Sequence, residues 1–143
     1  MTTYDVTVIG GGPGGYVAET ARLVGESGRV YALDIHPLAL QKVQTIVRQN
    51  NLTNVETIQS NCQTGLPDHS IDVVLLYDIF HMFSAPQAIL AELHRVLKPE
   101  GILSFNDHHL KEDEILAGVI GSQRFKLLRH GQKTYTFASF PLL

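Results

Sequence analysis

The chain has 143 residues, 44% of them hydrophobic and 17% charged, with a formal net charge of -3, a length that sustains one domain with a real core over residues 1–143 and is short for two. Outside residues 126–133 the lysines and arginines are scattered singly, so no basic stripe stands ready to neutralise a phosphate backbone, which argues against a nucleic-acid partner. Cys62 is the only cysteine, which rules out an intrachain disulfide; no apolar run reaches the roughly 20 residues of a membrane span, and the start lacks a charged, then apolar, leader pattern, so a cytoplasmic monomer or homodimer is expected.

Apolar, β-branched runs alternate with stretches of helical period along the chain, the pattern of a parallel sheet with crossover helices. A strand is expected at 4–9, followed by a glycine-rich turn and a helix at 14–25. A strand at 29–34 leads to a helix at 37–50, with Pro37 at a first-turn position where a missing N–H costs nothing. Strands at 54–59 and 71–77 follow, then a helix at 86–97 opened by Pro86. A turn over Pro99 to Gly101 precedes a strand at 101–106 that stops at the polar Asn106 and Asp107. A helix at 111–118 carries Glu112, Asp113 and Glu114 in its first turn, where acids complement the helix dipole. The chain closes with strands at 124–128 and 134–140 around a turn at His130, Gly131 and Gln132, a connection so short that the two must be antiparallel. The fold class is therefore α/β: a Rossmann-like, doubly wound, mostly parallel sheet ending in an antiparallel hairpin.

Gly10-x-Gly12-x-x-Gly15 follows a strand and opens a helix, the context that gives the pattern weight. Its first glycine permits the tight turn, its second lets a ligand approach the backbone, and its third lets helix and strand pack closely. Asp34 ends the next strand, where a carboxylate can accept hydrogen bonds from both hydroxyls of a ribose. FAD, NAD and S-adenosylmethionine (SAM) all present such a ribose, so the arrangement points to an adenosine cofactor without choosing among them. The competing reading makes the glycines a simple turn and Asp34 a cap of the following helix.

Residues 94–107, HRVLKPEGILSFND, and residues 66–75, LPDHSIDVVL, resemble the second half of a class I SAM-dependent methyltransferase, most nearly the ubiquinone and menaquinone biosynthesis type. Residues 4–18, YDVTVIGGGPGGYVA, resemble instead the FAD-binding opening of dihydrolipoamide dehydrogenase. The change of resemblance near residues 19–22 suggests a flavoprotein-like strand, loop and helix spliced onto a methyltransferase. The methyltransferase resemblance implies the sheet order 3-2-1-4-5-7-6, SAM as cofactor (FAD or NAD being the alternative) and a small-molecule methyl acceptor. It places Gly10, Gly11, Gly12, Gly14 and Gly15 at the cofactor loop, and Asp34 and Ile35 beside the ribose and adenine. Asn61 and Cys62 fall where the adenine amino edge is read, and the backbone carbonyls of Tyr77 and Asp78 lie near the methionine portion. The family's first motif carries an acid two positions before its first glycine; here that residue is Val8, which predicts weaker SAM binding on an unchanged fold. A start at the first strand, without the helices that cap such sites, predicts an open pocket and weak or absent catalysis.

His81 would face the transfer site and is the candidate base, although methyl transfer by direct displacement depends more on alignment than on acid–base chemistry. His108 and His109 invite a metal reading, yet neighbouring side chains on extended backbone point apart and nothing nearby completes a ligand set, so no metal is expected.

Overall fold

The computed structural model describes residues 4–10 and 16–140. In chain order the elements are β1 (Asp5–Gly10), α1 (Val17–Val24), β2 (Arg29–Asp34), α2 (Pro37–Gln49), β3 (Val55–Gln59), β4 (Ile71–Tyr77), a single 3₁₀ turn (Phe80–Met82), α3 (Pro86–Val96), β5 (Leu97–Asn106), α4 (Glu112–Ile120), β6 (Phe125–His130) and β7 (Tyr135–Ser139). The seven strands form one sheet in the order β3-β2-β1-β4-β5-β7-β6. All pairs are parallel except β5 with β7 and β7 with β6, so the expected order and terminal hairpin are both observed.

Alternation along the strands divides the core between the two faces. Val6 and Val8 of β1 point to the side covered by α1 and α2, where they meet Val17, Ala21 and Val43. Ile9 points to the opposite side and joins Leu76, Leu93, Phe105, Ile115 and Phe137 in the larger cluster under α3 and α4. The helices need only short apolar stripes: Val17 and Ala21 in α1, Leu40 and Val43 in α2, and Ile89, Leu90, Leu93 and Val96 in α3. Gly25, at φ 76°, ends α1, and the buried Asn54 side chain donates a further hydrogen bond to the Ala21 and Gly25 carbonyls, which also accept the N–H groups of Gly25 and Gly28. Pro37 and Pro86 both occupy the first helical turn, as expected.

Three boundaries depart from the sequence expectation. β5 begins at Leu97, directly after α3, and the Pro99 to Gly101 segment is a bulge within it: Leu97 pairs with Ile71 while Ile102 pairs with Val73. Proline is accommodated at such a bulge because no ladder bond is asked of its nitrogen. Gly101 is required there, since a Cβ would stand 2.9 Å from Leu97 Cδ2 and 3.1 Å from the Asp72 carbonyl oxygen. In the hairpin, β6 extends through His130 and the turn shifts onward, closed by Gly131 N–H donating to the Thr134 carbonyl at 2.8 Å. The 3₁₀ turn at Phe80–Met82 was not anticipated; burial of Phe80 against Phe105 anchors it.

Candidate functional site

The strands β1 to β5 run in parallel, so their carboxyl ends share one edge of the sheet, the edge where open α/β sheets bind ligands. A cavity of about 500 Å³ opens there. Its walls come from Ile9 at the end of β1, residues 33–36 at and beyond the end of β2, residues 60–62 after β3, Asp78 and Ile79 after β4, and residues 82–85 leading into α3. Asp34, Ile35, Asn61, Cys62 and Asp78, separated by up to 44 positions in the chain, therefore meet around one space.

Local chemistry holds each wall. Asp34 Oδ1 accepts the His36 N–H at 2.9 Å, a turn of the kind aspartate side chains favour, and its second oxygen has no bond to a described residue. Ribose binding and turn formation are thus compatible rather than competing roles. The Asn61 and Cys62 segment is bent by Ser60, whose Oγ accepts the N–H groups of Cys62 and Gln63 at 3.3 and 2.9 Å. Behind it, Glu92 on α3 accepts Thr64 N–H at 2.8 Å and Thr64 Oγ–H at 2.7 Å, and pairs with Arg95 at 2.8 Å. Arg95 also donates to Asp68 and to the Leu66 carbonyl. The Arg95 hydrogen bond, with those from Thr64, overcomes burial and holds the Glu92 carboxyl at about 2.

A second arrangement lies on the β5 side of the cavity. Tyr77 pairs with Asn106, so Asp78 and Asp107 leave the sheet side by side. Each then takes a histidine from the other strand's loop. Asp107 Oδ2 accepts from His81 N–H at 3.0 Å and bonds His81 Nδ1 at 2.8 Å, while Asp78 Oδ1 accepts His108 N–H at 2.8 Å and bonds His108 Nδ1 at 2.6 Å. Burial pushes the Asp78 carboxyl up, but the two His108 hydrogen bonds outweigh it and leave the group below its usual range. Asp78 adopts φ 55°, a left-handed conformation that directs its carboxylate to this partner. The His81 and His109 rings pack with centroids 4.1 Å apart.

These geometries refine the residue assignments made from sequence. His81 does not line the cavity; the residues flanking it, Ile79 and Met82, do, and its ring turns toward Asp107. Tyr77 is also outside the lining: its hydroxyl meets Ser104 Oγ at 2.6 Å and its ring packs on Tyr16. Gly10 closes β1, next to the cavity wall residue Ile9. Gly11, Gly12, Gly14 and Gly15 lie outside the described residues. Val8 is 3% exposed among apolar side chains on the α1 and α2 side and is not one of the residues lining the cavity. No group of three metal-ligating side chains forms among the described residues, and none of their helices is long and apolar enough to cross a membrane. Asp107 was the residue overlooked. Its signal was present: an acid at the end of each of two adjacent strands, with a histidine one to three positions later.

The family described as "Methyltransferase domain" matches residues 7–105. The chain belongs to that family. Among curated proteins, the UbiE ubiquinone/menaquinone biosynthesis C-methyltransferase of Shewanella sp. (strain ANA-3) is 30% identical over 122 residues, which are 84% of this chain and 49% of the relative. The chain thus spans about half the length of the curated relatives it matches. Among solved structures, a SAM-dependent methyltransferase from Aquifex aeolicus superposes with a TM-score of 0.82 at 25% identity, over 95% of this chain and 81% of that one. The cyclase SpnF, at 17% identity and a TM-score of 0.75 over 89% of this chain and 53% of its own, shares the fold alone. SAM is the cofactor that accompanies this family membership. The family match begins at residue 7 and runs without a break through the glycine loop and residues 19–22, so it lends no support to a separate flavoprotein segment or to FAD or NAD.

Proposed function

We propose that this methyltransferase domain binds SAM in the cavity at the strand ends and transfers its methyl group to a small molecule. The carrying observation is the charge of the lining. Asp34 and Asp78 contribute carboxylates, no lysine or arginine is among the lining residues, and the sequence of residues 11–15 adds no charge. Asp34 would serve the ribose of any of the three, so the choice rests on Asp78: SAM brings a sulfonium and an ammonium that a carboxylate attracts, whereas FAD and NAD bring a pyrophosphate that it would repel. In this reading Asp34 offers its free oxygen to the ribose diol and Ile35 packs on the adenine. Asn61 and Cys62 border the adenine edge, and Asp78 lies toward the cationic end. The Glu92 and Arg95 clasp keeps the Asn61 wall in place.

The test is calorimetric titration of the purified chain with SAM, S-adenosylhomocysteine, NAD and FAD side by side. SAM and S-adenosylhomocysteine are expected to bind and the two pyrophosphates to bind far more weakly; tighter binding of FAD or NAD than of S-adenosylhomocysteine would refute the assignment. Asp34→Asn should weaken S-adenosylhomocysteine by about 1–3 kcal/mol, the range for a lost hydrogen bond to a charged group, with the melting temperature unchanged.

A further inference from the structure

We infer that His81 is a proton acceptor for the methyl acceptor's hydroxyl or thiol, and that Asp107 is the positioning residue that presents it. This rests on the methyltransferase reading of the neighbouring cavity. The Asp107 side chain is 0% exposed, and its carboxylate is surrounded by N–H donors: His81 N at 3.0 Å, His81 Nδ1 at 2.8 Å and His109 N at 2.9 Å. No lysine or arginine pairs with it among the described residues, so the imidazole is the one side chain there able to balance a buried carboxylate. That pairing fixes the ring. With Nδ1 committed to Asp107 as donor, the neutral ring carries its lone pair on Nε2, at the opposite edge.

The location suits that role. His81 sits in the 3₁₀ turn between two residues of the cavity wall, Ile79 and Met82, with its side chain still 24% exposed. His109 packs on one face of the ring, so rotation is opposed by the stack as well as by Asp107. Holding the two loops together does not by itself require this pair, because Asp78 and His108 already make an equivalent cross-link. When an O–H or S–H acceptor is methylated, it must lose a proton. SAM supplies an electrophilic methyl and retains the carbon–sulfur bonding electrons as a thioether. The acceptor's proton passes to Nε2, giving an imidazolium whose charge Asp107 compensates. An acceptor amine that already carries a free lone pair would have no use for such a group. The group therefore serves acceptors that lose a proton on methylation, of which a hydroxyl or a thiol is the simplest.

The experiment combines nitrogen-15 NMR of the histidine rings with kinetics. At about pH 8.5, two units above the ordinary histidine value, His81 should be the tautomer protonated on Nδ1 in the wild type, and Asp107→Asn should abolish that preference. Protonation on Nε2 in the wild type, or an unchanged tautomer in the variant, overturns the inference. Release of S-adenosylhomocysteine from SAM is then followed with phenol, catechol and 2-mercaptoethanol as probes. His81→Gln, which leaves the buried core untouched, should lower kcat on order 10²-fold or more with the KM for SAM unchanged, and Asp107→Asn should do the same. Equal kcat in the variants, or no turnover of any probe by the wild type, overturns the assignment. Calorimetry with S-adenosylhomocysteine keeps the two readings distinguishable: failure there removes the SAM site, while the tautomer result reports on His81 alone.

Discussion

Replacing Glu92 by glutamine tests how far the cavity wall depends on a partly buried ion pair. The Glu92 side chain is 13% exposed and accepts four hydrogen bonds, two from Thr64 and two from Arg95. Its carboxyl is lowered from 4.5 to about 2, which at about 1.36 kcal/mol per unit bounds its stabilisation near 3 kcal/mol. Arg95 is 38% exposed, so solvent screening reduces the expected loss in Glu92→Gln to about 2 kcal/mol at neutral pH. The sign follows from the direction of the shift. The folded state favours the ionised form, so the stabilisation is present above the ordinary glutamate range and disappears as the pH falls from about 4.5 toward 2. Urea unfolding at a series of pH values from 7 down to 3 should show the wild type and Glu92→Gln converging as the medium becomes acid. A difference that stays constant across that range, or one below about 0.5 kcal/mol at pH 7, would refute the argument, since surface pairs contribute that little.

Val8→Asp should destabilise the chain by several kcal/mol, because the new carboxylate enters the apolar cluster with Val17 and Ala21 and finds no partner; improved binding of S-adenosylhomocysteine by folded protein would contradict this placement. Gly101→Ala should cost about 1–3 kcal/mol in thermal or urea unfolding, because the added methyl meets backbone oxygens of Lys98 and Asp72 at 3.0 and 3.1 Å. Unchanged stability would show that the bulge relaxes without strain.

Periodicity exposed the sheet because each strand carries its own signal: β-branched runs at central positions, a helical stripe after each, and proline at two helix starts. The bulge in β5 was hidden for the same reason. Pro99 and Gly101 are turn residues by any local measure, and only pairing with β4, which places Leu97 opposite Ile71, shows that the strand continues through them. The cavity was legible where the chemistry follows strand ends, as at Asp34, Asn61 and Asp78. His81 was visible as a residue but not as a pair. Its partner Asp107 lies 26 positions away, and the contact depends on Tyr77 and Asn106 being neighbours across the sheet. Val8 illustrates the converse, since counting back from a glycine assigns a motif position while strand alternation decides which face the side chain reaches.

The departure at Val8 need not empty the cavity of the negative charge a cationic ligand requires. An acid at position 8 would enter the apolar cluster on the α1 and α2 side, while the strands on either side of β1 already end in a carboxylate at the cavity: Asp34 closes β2, and Asp78 follows β4. Burial would ordinarily favour protonating a group such as Asp78, and in doing so would discharge the cavity. The His108 hydrogen bonds oppose this and hold the Asp78 carboxyl below its ordinary value. The pair to His108 thus favours a charge in the cavity wall, while the parallel pair between Asp107 and His81 would, on the inference above, leave a ring nitrogen for protons. Two nearly identical contacts, made by exchanging histidines between adjacent strand ends, would on the proposed reading serve different chemistry, because one carboxylate lines the cavity and the other is wholly enclosed. A shared fold does not dictate that division of labour; the side chains at the two strand ends would.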